Sequence, residues 1–146
     1  MLRIRIVSTA FLLVSATSVS AQQDLAARVE ALDPTITQVV TGGFWQVDSS
    51  RGQYRVVVLT EGWEEVRHRV FVQWLAEETA ARELDVQSSM DLAALASEWW
   101  SLADPSLSLE AGSWILLVHA AAMPLEQHTA ELRFRLGPPG RVAPLR

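Results

Sequence analysis

Residues 65–76 have the sequence Glu-Val-Arg-His-Arg-Val-Phe-Val-Gln-Trp-Leu-Ala, in which apolar and polar side chains alternate. One parity is apolar and the other is mainly charged or polar; the apolar set is Val66, Val70, Val72 and Trp74. A period of two residues is typical of a β-strand that has one buried and one solvated face. We therefore predict a strand in this segment.

The two segments before it have the same character. Residues 53–60 form a nearly continuous apolar run that predicts a strand buried on both faces, and residues 36–47 predict another strand. The Gly42-Gly43 pair inside the latter indicates a bulge or a sharp bend. Short turns separate the three strands, whereas parallel neighbours need crossovers of about a dozen or more residues. The sequence therefore predicts an antiparallel meander.

The second half of the chain also favours strands. Residues 113–121 predict a buried strand, and residues 128–136 predict a strand with one wet face that ends at Gly137. Residues 80–87 fit a strand with Leu84 and Val86 directed inward. Residues 90–102 fit either a helix capped by Asp91 or an irregular strand, and Asp104-Pro105 is expected to end that segment.

These segments together predict a mainly β protein. The expected architecture is an antiparallel two-layer sandwich in an arrangement that resembles immunoglobulin domains, with short helices near 22–33 and 90–102 and a small barrel as the second alternative. The predicted organisation has four parts: a signal peptide (1–21), an N-terminal leader or short helix (22–34), the β-sandwich domain (35–137) and an extended C-terminal tail (138–146).

The first residues carry the features of a secretory signal peptide. Arg3 and Arg5 precede an apolar stretch, and Val19-Ser20-Ala21 supplies small residues at a cleavage position, so that Gln22 becomes the first mature residue. Serines and threonines interrupt the stretch before it reaches the roughly 20 apolar residues that span a bilayer. We therefore expect a periplasmic or secreted protein with no stable membrane anchor after cleavage.

Composition excludes several classes of function. The chain has a formal net charge of −5, which argues against binding to nucleic acid because phosphate contacts need a basic surface. It contains no cysteine and no lysine, so thiol catalysis, thiolate metal sites and Schiff-base chemistry are all excluded. No serine lies in a nucleophile-elbow motif, and no glycine motif for phosphate occurs. We predict that the protein is not an enzyme, with no catalytic residues and no cofactor.

The histidines are the remaining candidates for a metal site. They are His68, His119 and His128. None of their spacings matches a metal motif, although His119 and His128 flank one predicted hairpin, which allows them to approach each other across it. The alternative is that each is a partly exposed strand residue. We predict no metal site and retain the three as candidates.

Tryptophan is abundant, with six residues in the chain. We expect Trp45, Trp74 and Trp114 to be buried in strands. Trp63 lies in a predicted turn, and Trp99 and Trp100 are adjacent, so at least one of this pair points outward if the segment is extended. Exposed indoles anchor partner proteins or stack on sugar rings, and we take Trp63, Trp99 and Trp100 as a candidate binding surface.

Three functions are compatible with these features. The first is a noncatalytic exported domain that binds a protein partner or a cell-envelope component. The second is a carbohydrate-binding module, and the third is a small metal-dependent hydrolase that uses His68, His119 and nearby carboxylates. The sequence predicts no particular oligomeric state.

Overall fold

The computed structural model describes residues 27, 29–64, 66–77, 84–94, 100–122 and 128–145. The chain divides into two units, Met1–Asp33 and Pro34–Arg146. In the first unit the described residues include one helical turn, in which the Ala31 amide donates to the Ala27 carbonyl at 3.0 Å. The predicted signal peptide lies outside the described residues. In the described part of the chain, no helix combines the length and the apolar character that a membrane crossing requires.

The second unit consists of two four-stranded antiparallel sheets. The first sheet contains β1 (Ile36–Val47), β2 (Ser50–Glu61), β3 (Arg67–Glu77) and β4 (Leu84–Asp91). The second contains β5 (Trp100–Glu110), β6 (Ser113–Ala122), β7 (Thr129–Leu136) and β8 (Val142–Leu145). The predicted fold class, a mainly β antiparallel sandwich, is confirmed.

Strands follow each other in sequence order within each sheet. Each sheet is thus an up-and-down meander, and the chain passes from one sheet to the other between β4 and β5. Immunoglobulin domains use Greek-key connections instead, so the likeness to them is one of layering.

A bulge at Gly43 sets which aromatic side chain of β1 enters the core. The register of β1 on β2 shifts between Gly42 and Phe44, and Gly43 has a φ of 70°. A Cβ at position 43 would lie 2.7 Å from the Trp114 ring. The predicted bulge is confirmed, and because of it Trp45 faces the core while Phe44 faces solvent.

The inward orientation predicted for Leu84 and Val86 is wrong. They are 44% and 48% exposed. The register of β4 on β3 shifts at Trp74/Leu75, so Val86 lies opposite Leu75 on the outer face, whereas Met90 packs against the core. One extra residue in an edge strand is enough to exchange the two faces.

The segment 90–102 is neither a continuous helix nor a continuous strand. β4 ends at Asp91, a 3₁₀ turn covers Leu92–Ala94, and β5 begins at Trp100. The Asp91 carboxylate accepts a 2.9 Å hydrogen bond from the Ala93 amide, which makes it the predicted cap. Residues 95–99 lie outside the described part.

Asp104-Pro105 does not end the preceding segment as predicted. Both residues lie inside β5, where the register on β6 shifts between Ala103 and Ser106. A proline lacks the amide hydrogen that a ladder needs, but a bulge in an edge strand leaves that position unpaired.

The C-terminal residues also differ from the prediction. The sequence places Val142–Leu145 in an extended tail, whereas in the structure they pair with β7 as strand β8.

The core lies between the two sheets. Two buried side chains of the first sheet donate hydrogen bonds to one backbone carbonyl of the second. Trp74 is fully buried, and its Nε1 donates to the Gly137 carbonyl oxygen at 2.9 Å. The hydroxyl of Tyr54 donates to the same oxygen at 3.2 Å. The Tyr54 and Trp74 rings meet edge to face with centroids 6.2 Å apart. Side chains of the first sheet are thereby tied to the backbone at the end of β7 in the second.

Titration of the Tyr54 hydroxyl makes the free energy of unfolding depend on pH in the alkaline range. Burial raises the pKa of Tyr54 from 10.0 to about 12. The unfolded chain therefore loses this proton at lower pH than the folded protein does, so the contribution is complete below pH 10.0 and disappears as pH rises towards about 12. We expect the urea midpoint to fall across this interval.

Composition makes this measurement specific. Tyr54 is the only tyrosine, and the chain has no lysine and no cysteine to titrate in the same range. Tyr54→Phe is the control and should flatten the dependence. An equal slope in wild type and variant would show that Tyr54 is not the group responsible.

Candidate functional site

Trp63 is the most exposed large apolar side chain of the described residues. It lies in the turn that connects β2 to β3, here called the Trp63 loop (residues 62–66, of which residue 65 lies outside the described part), and it is 96% exposed. Val66 in the same loop is also exposed. An indole side chain buries roughly 150–250 Å² when it is covered, so this ring holds a large unused contact area.

The base of the Trp63 loop is held by side chains of the two flanking strands. Thr60 lies opposite His68, with Oγ1 and Nδ1 3.0 Å apart. On the outer face, Arg69 Nη1 donates to the Glu61 carboxylate at 3.1 Å. These cross-strand pairs fix the ends of β2 and β3, so the loop projects from a defined base.

The start of β5 lies beside the Trp63 loop. The His68 amide donates to Ser101 Oγ at 3.0 Å, and Ser101 is buried. Trp100 is the first residue of β5 and precedes Ser101 directly, so its backbone lies at the same end of the domain as the loop. Trp99 lies outside the described residues. The structure thus brings together two of the segments that the sequence singled out separately.

The three histidines are not gathered into one site. His68 lies in the first sheet, whereas His119 is an exposed residue of β6 in the second. The register places Glu131, rather than His128, opposite His119. The His128 carbonyl accepts from the Ala122 amide at 2.8 Å, three residues further along β6. Over the described ranges, no group of three or more histidine, aspartate or glutamate side chains is placed to hold a metal ion.

Two arginines on the outer faces, Arg69 and Arg133, form ion pairs with carboxylates. Arg69 contacts both Glu61 and Asp91, and its guanidinium lies 5.6 Å from the centre of the Phe71 ring. Arg133 in the second sheet pairs with Glu110. The hydrogen bond from Arg133 holds the pKa of the exposed Glu110 carboxyl below its usual value, with a smaller contribution from Ser108. These pairs neutralise charge on the sheet faces.

A groove of about 480 Å³ lies beside the β1–β2 hairpin, at the other end of the first sheet. Its lining is Phe44, Trp45, Gln46, Arg51, Gly52 and Glu77. This groove was not predicted from the sequence. The sequence feature that could have revealed it is the adjacent pair Phe44-Trp45. Neighbouring side chains of a strand point to opposite faces, so one of these two rings had to face water.

No family model, no curated protein and no solved structure matches the chain in the comparisons with known proteins. The functional assignment therefore depends on the surface of this chain. The Trp63 loop and the groove at the β1–β2 hairpin are the features of the described residues from which we argue binding.

Proposed function

We propose that the protein is an exported, noncatalytic binding module that contacts a protein partner through the Trp63 loop and the adjoining start of β5. The observation that supports this most directly is the 96% exposure of the Trp63 side chain. Tryptophan is enriched among the residues that dominate binding energy at protein interfaces.

Hydrogen bonds at the base of the Trp63 loop support this proposal. The Thr60–His68 contact and the bond from the His68 amide to Ser101 fix the strands on which the loop stands. An indole presented on a fixed base loses little conformational entropy when it is covered, which favours affinity. The N-terminal signal features at residues 1–21 support export and hence a partner in the periplasm or outside the cell.

Carbohydrate binding is the second candidate, because an exposed indole face stacks on a sugar ring as well as on a protein side chain. The two candidates differ in a simple measurement. Retention on a polysaccharide column that Trp63→Ala or Trp100→Ala abolishes supports the carbohydrate candidate. Retention that neither substitution changes, or no retention at all, leaves the protein partner as the ligand of this surface.

Trp63→Ala is expected to weaken partner binding without weakening the fold. Surface substitutions change stability by about 0.5 kcal/mol or less, whereas loss of a central aromatic anchor costs about 2 kcal/mol of binding energy, or roughly 30-fold in affinity. The measurement is photo-crosslinking in the native envelope, followed by identification of the crosslinked product. The photoreactive group replaces Val66, and the yield of the product is compared between the protein that retains Trp63 and the Trp63→Ala variant.

Leu109→Ala is the matched control, because Leu109 is an exposed apolar residue in β5 of the second sheet. It should leave the yield of the crosslinked product unchanged. A yield that survives Trp63→Ala would exclude the Trp63 loop as the contact.

A further inference from the structure

The groove at the β1–β2 hairpin combines one exposed aromatic ring with a small set of polar groups. Phe44 is 69% exposed on the outer face of β1. Gln46 lies opposite Arg51 in the register of the two strands. Arg51 Nε donates to Glu77 Oε2 at 2.8 Å, so β1, β2 and β3 each contribute to the lining.

The groove borders the buried Trp45 ring. Trp45 Nε1 is buried and has no hydrogen-bond acceptor among the residues that the structure describes. The Cζ2 edge of the same ring lies against Gly52, 2.8 Å from the place that a Cβ would take, and Nε1 lies on that side of the indole. Trp45 and Gly52 both line the groove. The Leu75 carbonyl oxygen and this ring fill the space above Gly52, so a ligand meets the outer lining residues of the groove.

The net charge of the residues that line the groove indicates the class of ligand. Arg51 and Glu77 neutralise each other, and the other lining residues are uncharged, so the groove offers hydrogen bonds without a net charge. The amide of Gln46, the guanidinium and the carboxylate present donors and acceptors side by side, as the adjacent hydroxyls of a sugar require. An exposed aromatic ring beside them provides an apolar platform for the C–H face of that sugar.

We propose that this groove is a subsite for a neutral pyranose unit of a polysaccharide, with the sugar ring stacked on Phe44 and its hydroxyls bonded to Gln46 and to the Arg51–Glu77 pair. The subsite is independent of the Trp63 loop. The ten residue steps of β2 from Arg51 to Glu61 span about 33 Å, so one sugar unit does not touch both. This proposal therefore does not depend on the proposed protein partner.

The test is isothermal titration calorimetry of the purified protein with two neutral probes, cellohexaose and chitohexaose, and one charged probe, hexagalacturonate. At least one neutral probe should bind saturably, and hexagalacturonate should bind about tenfold more weakly or not at all. Phe44→Ala should weaken binding by about tenfold or more, and Phe44→Trp, which keeps the platform, should stay within about threefold of wild type.

Two further variants control for location. Val39→Ala changes an exposed residue of the same strand outside the groove, and Trp63→Ala changes the loop at the far end of the sheet. Both should bind the neutral probe as wild type does. The proposal is overturned by saturable binding to neither neutral probe, by a preference for hexagalacturonate, or by an affinity that Phe44→Ala leaves unchanged. A loss of sugar binding in Trp63→Ala alone would assign the sugar to the Trp63 loop instead.

Discussion

Gly52→Ala is expected to lower the free energy of unfolding by more than about 4 kcal/mol or to prevent folding. Gly52 lies in β2 opposite Trp45 on one side and Ala76 on the other. A Cβ at this position would lie 1.8 Å from the Leu75 carbonyl oxygen and 2.8 Å from Trp45 Cζ2. The backbone atom cannot move without breaking the β2–β3 ladder, so the clash has no inexpensive relief. Urea unfolding followed by tryptophan fluorescence measures the loss.

Gly42→Ala is the matched control for this clash. Gly42 also lies in a strand of the first sheet, but its added Cβ would be 3.8 Å from Leu107 Cδ1, which is ordinary van der Waals contact. We expect a change within about 1 kcal/mol of wild type, because the substitution also reduces the conformational entropy of the unfolded chain. Equal costs for the two substitutions would mean that β2 and β3 do not approach as closely as described.

The strands with clear alternation could be predicted from the sequence because their two faces meet different environments. In β3, Val70, Val72 and Trp74 are all buried. The bulge at Gly43 was also predictable, since a glycine pair inside a strand pattern favours a backbone that departs from the strand, and Gly43 adopts a positive φ. Local chemistry was decisive at these positions.

Where the predictions from the sequence were wrong, pairing between distant strands determined the structure. β5 continues through Asp104-Pro105 only because β6 pairs with it on both sides of the bulge. Val86 faces outward because the register on β3 shifts by one residue at Trp74/Leu75. Neither effect leaves a mark in the local sequence, since a period-two pattern fixes an alternation but not the face that each parity occupies.

The same distinction applies to the candidate site: one of its features follows from the local sequence, and the others depend on long-range packing. Exposure of Trp63 followed from its position in a turn, and the pairing of Ser101 with His68, which brings Trp100 to the same end, depends on the packing of the two sheets. The groove at the β1–β2 hairpin requires three strands in register before Phe44 and Glu77 share a surface. A pattern within one segment cannot report such a neighbourhood.

Trp74→Ala is expected to cost about 3–5 kcal/mol of unfolding free energy, because it removes a fully buried ring and a cross-sheet hydrogen bond together. Trp74→Phe separates the two effects. It keeps most of the apolar contact and removes only the donor to the Gly137 carbonyl, which then retains the bond from Tyr54. Urea unfolding of both variants measures each effect.

Trp45→Phe provides the comparison that isolates the hydrogen bond. Both tryptophans are buried in the core and lose the same atoms, but Trp45 Nε1 has no acceptor among the described residues while Trp74 Nε1 has one at 2.9 Å. Removing an unpaired donor relieves a desolvation cost, whereas removing a paired donor forfeits a bond. Trp74→Phe should therefore destabilise the protein by about 1–2 kcal/mol more than Trp45→Phe does. If the two substitutions cost the same, the bond to Gly137 does not contribute to holding the sheets together, and packing of the rings alone accounts for the stability of this end of the core.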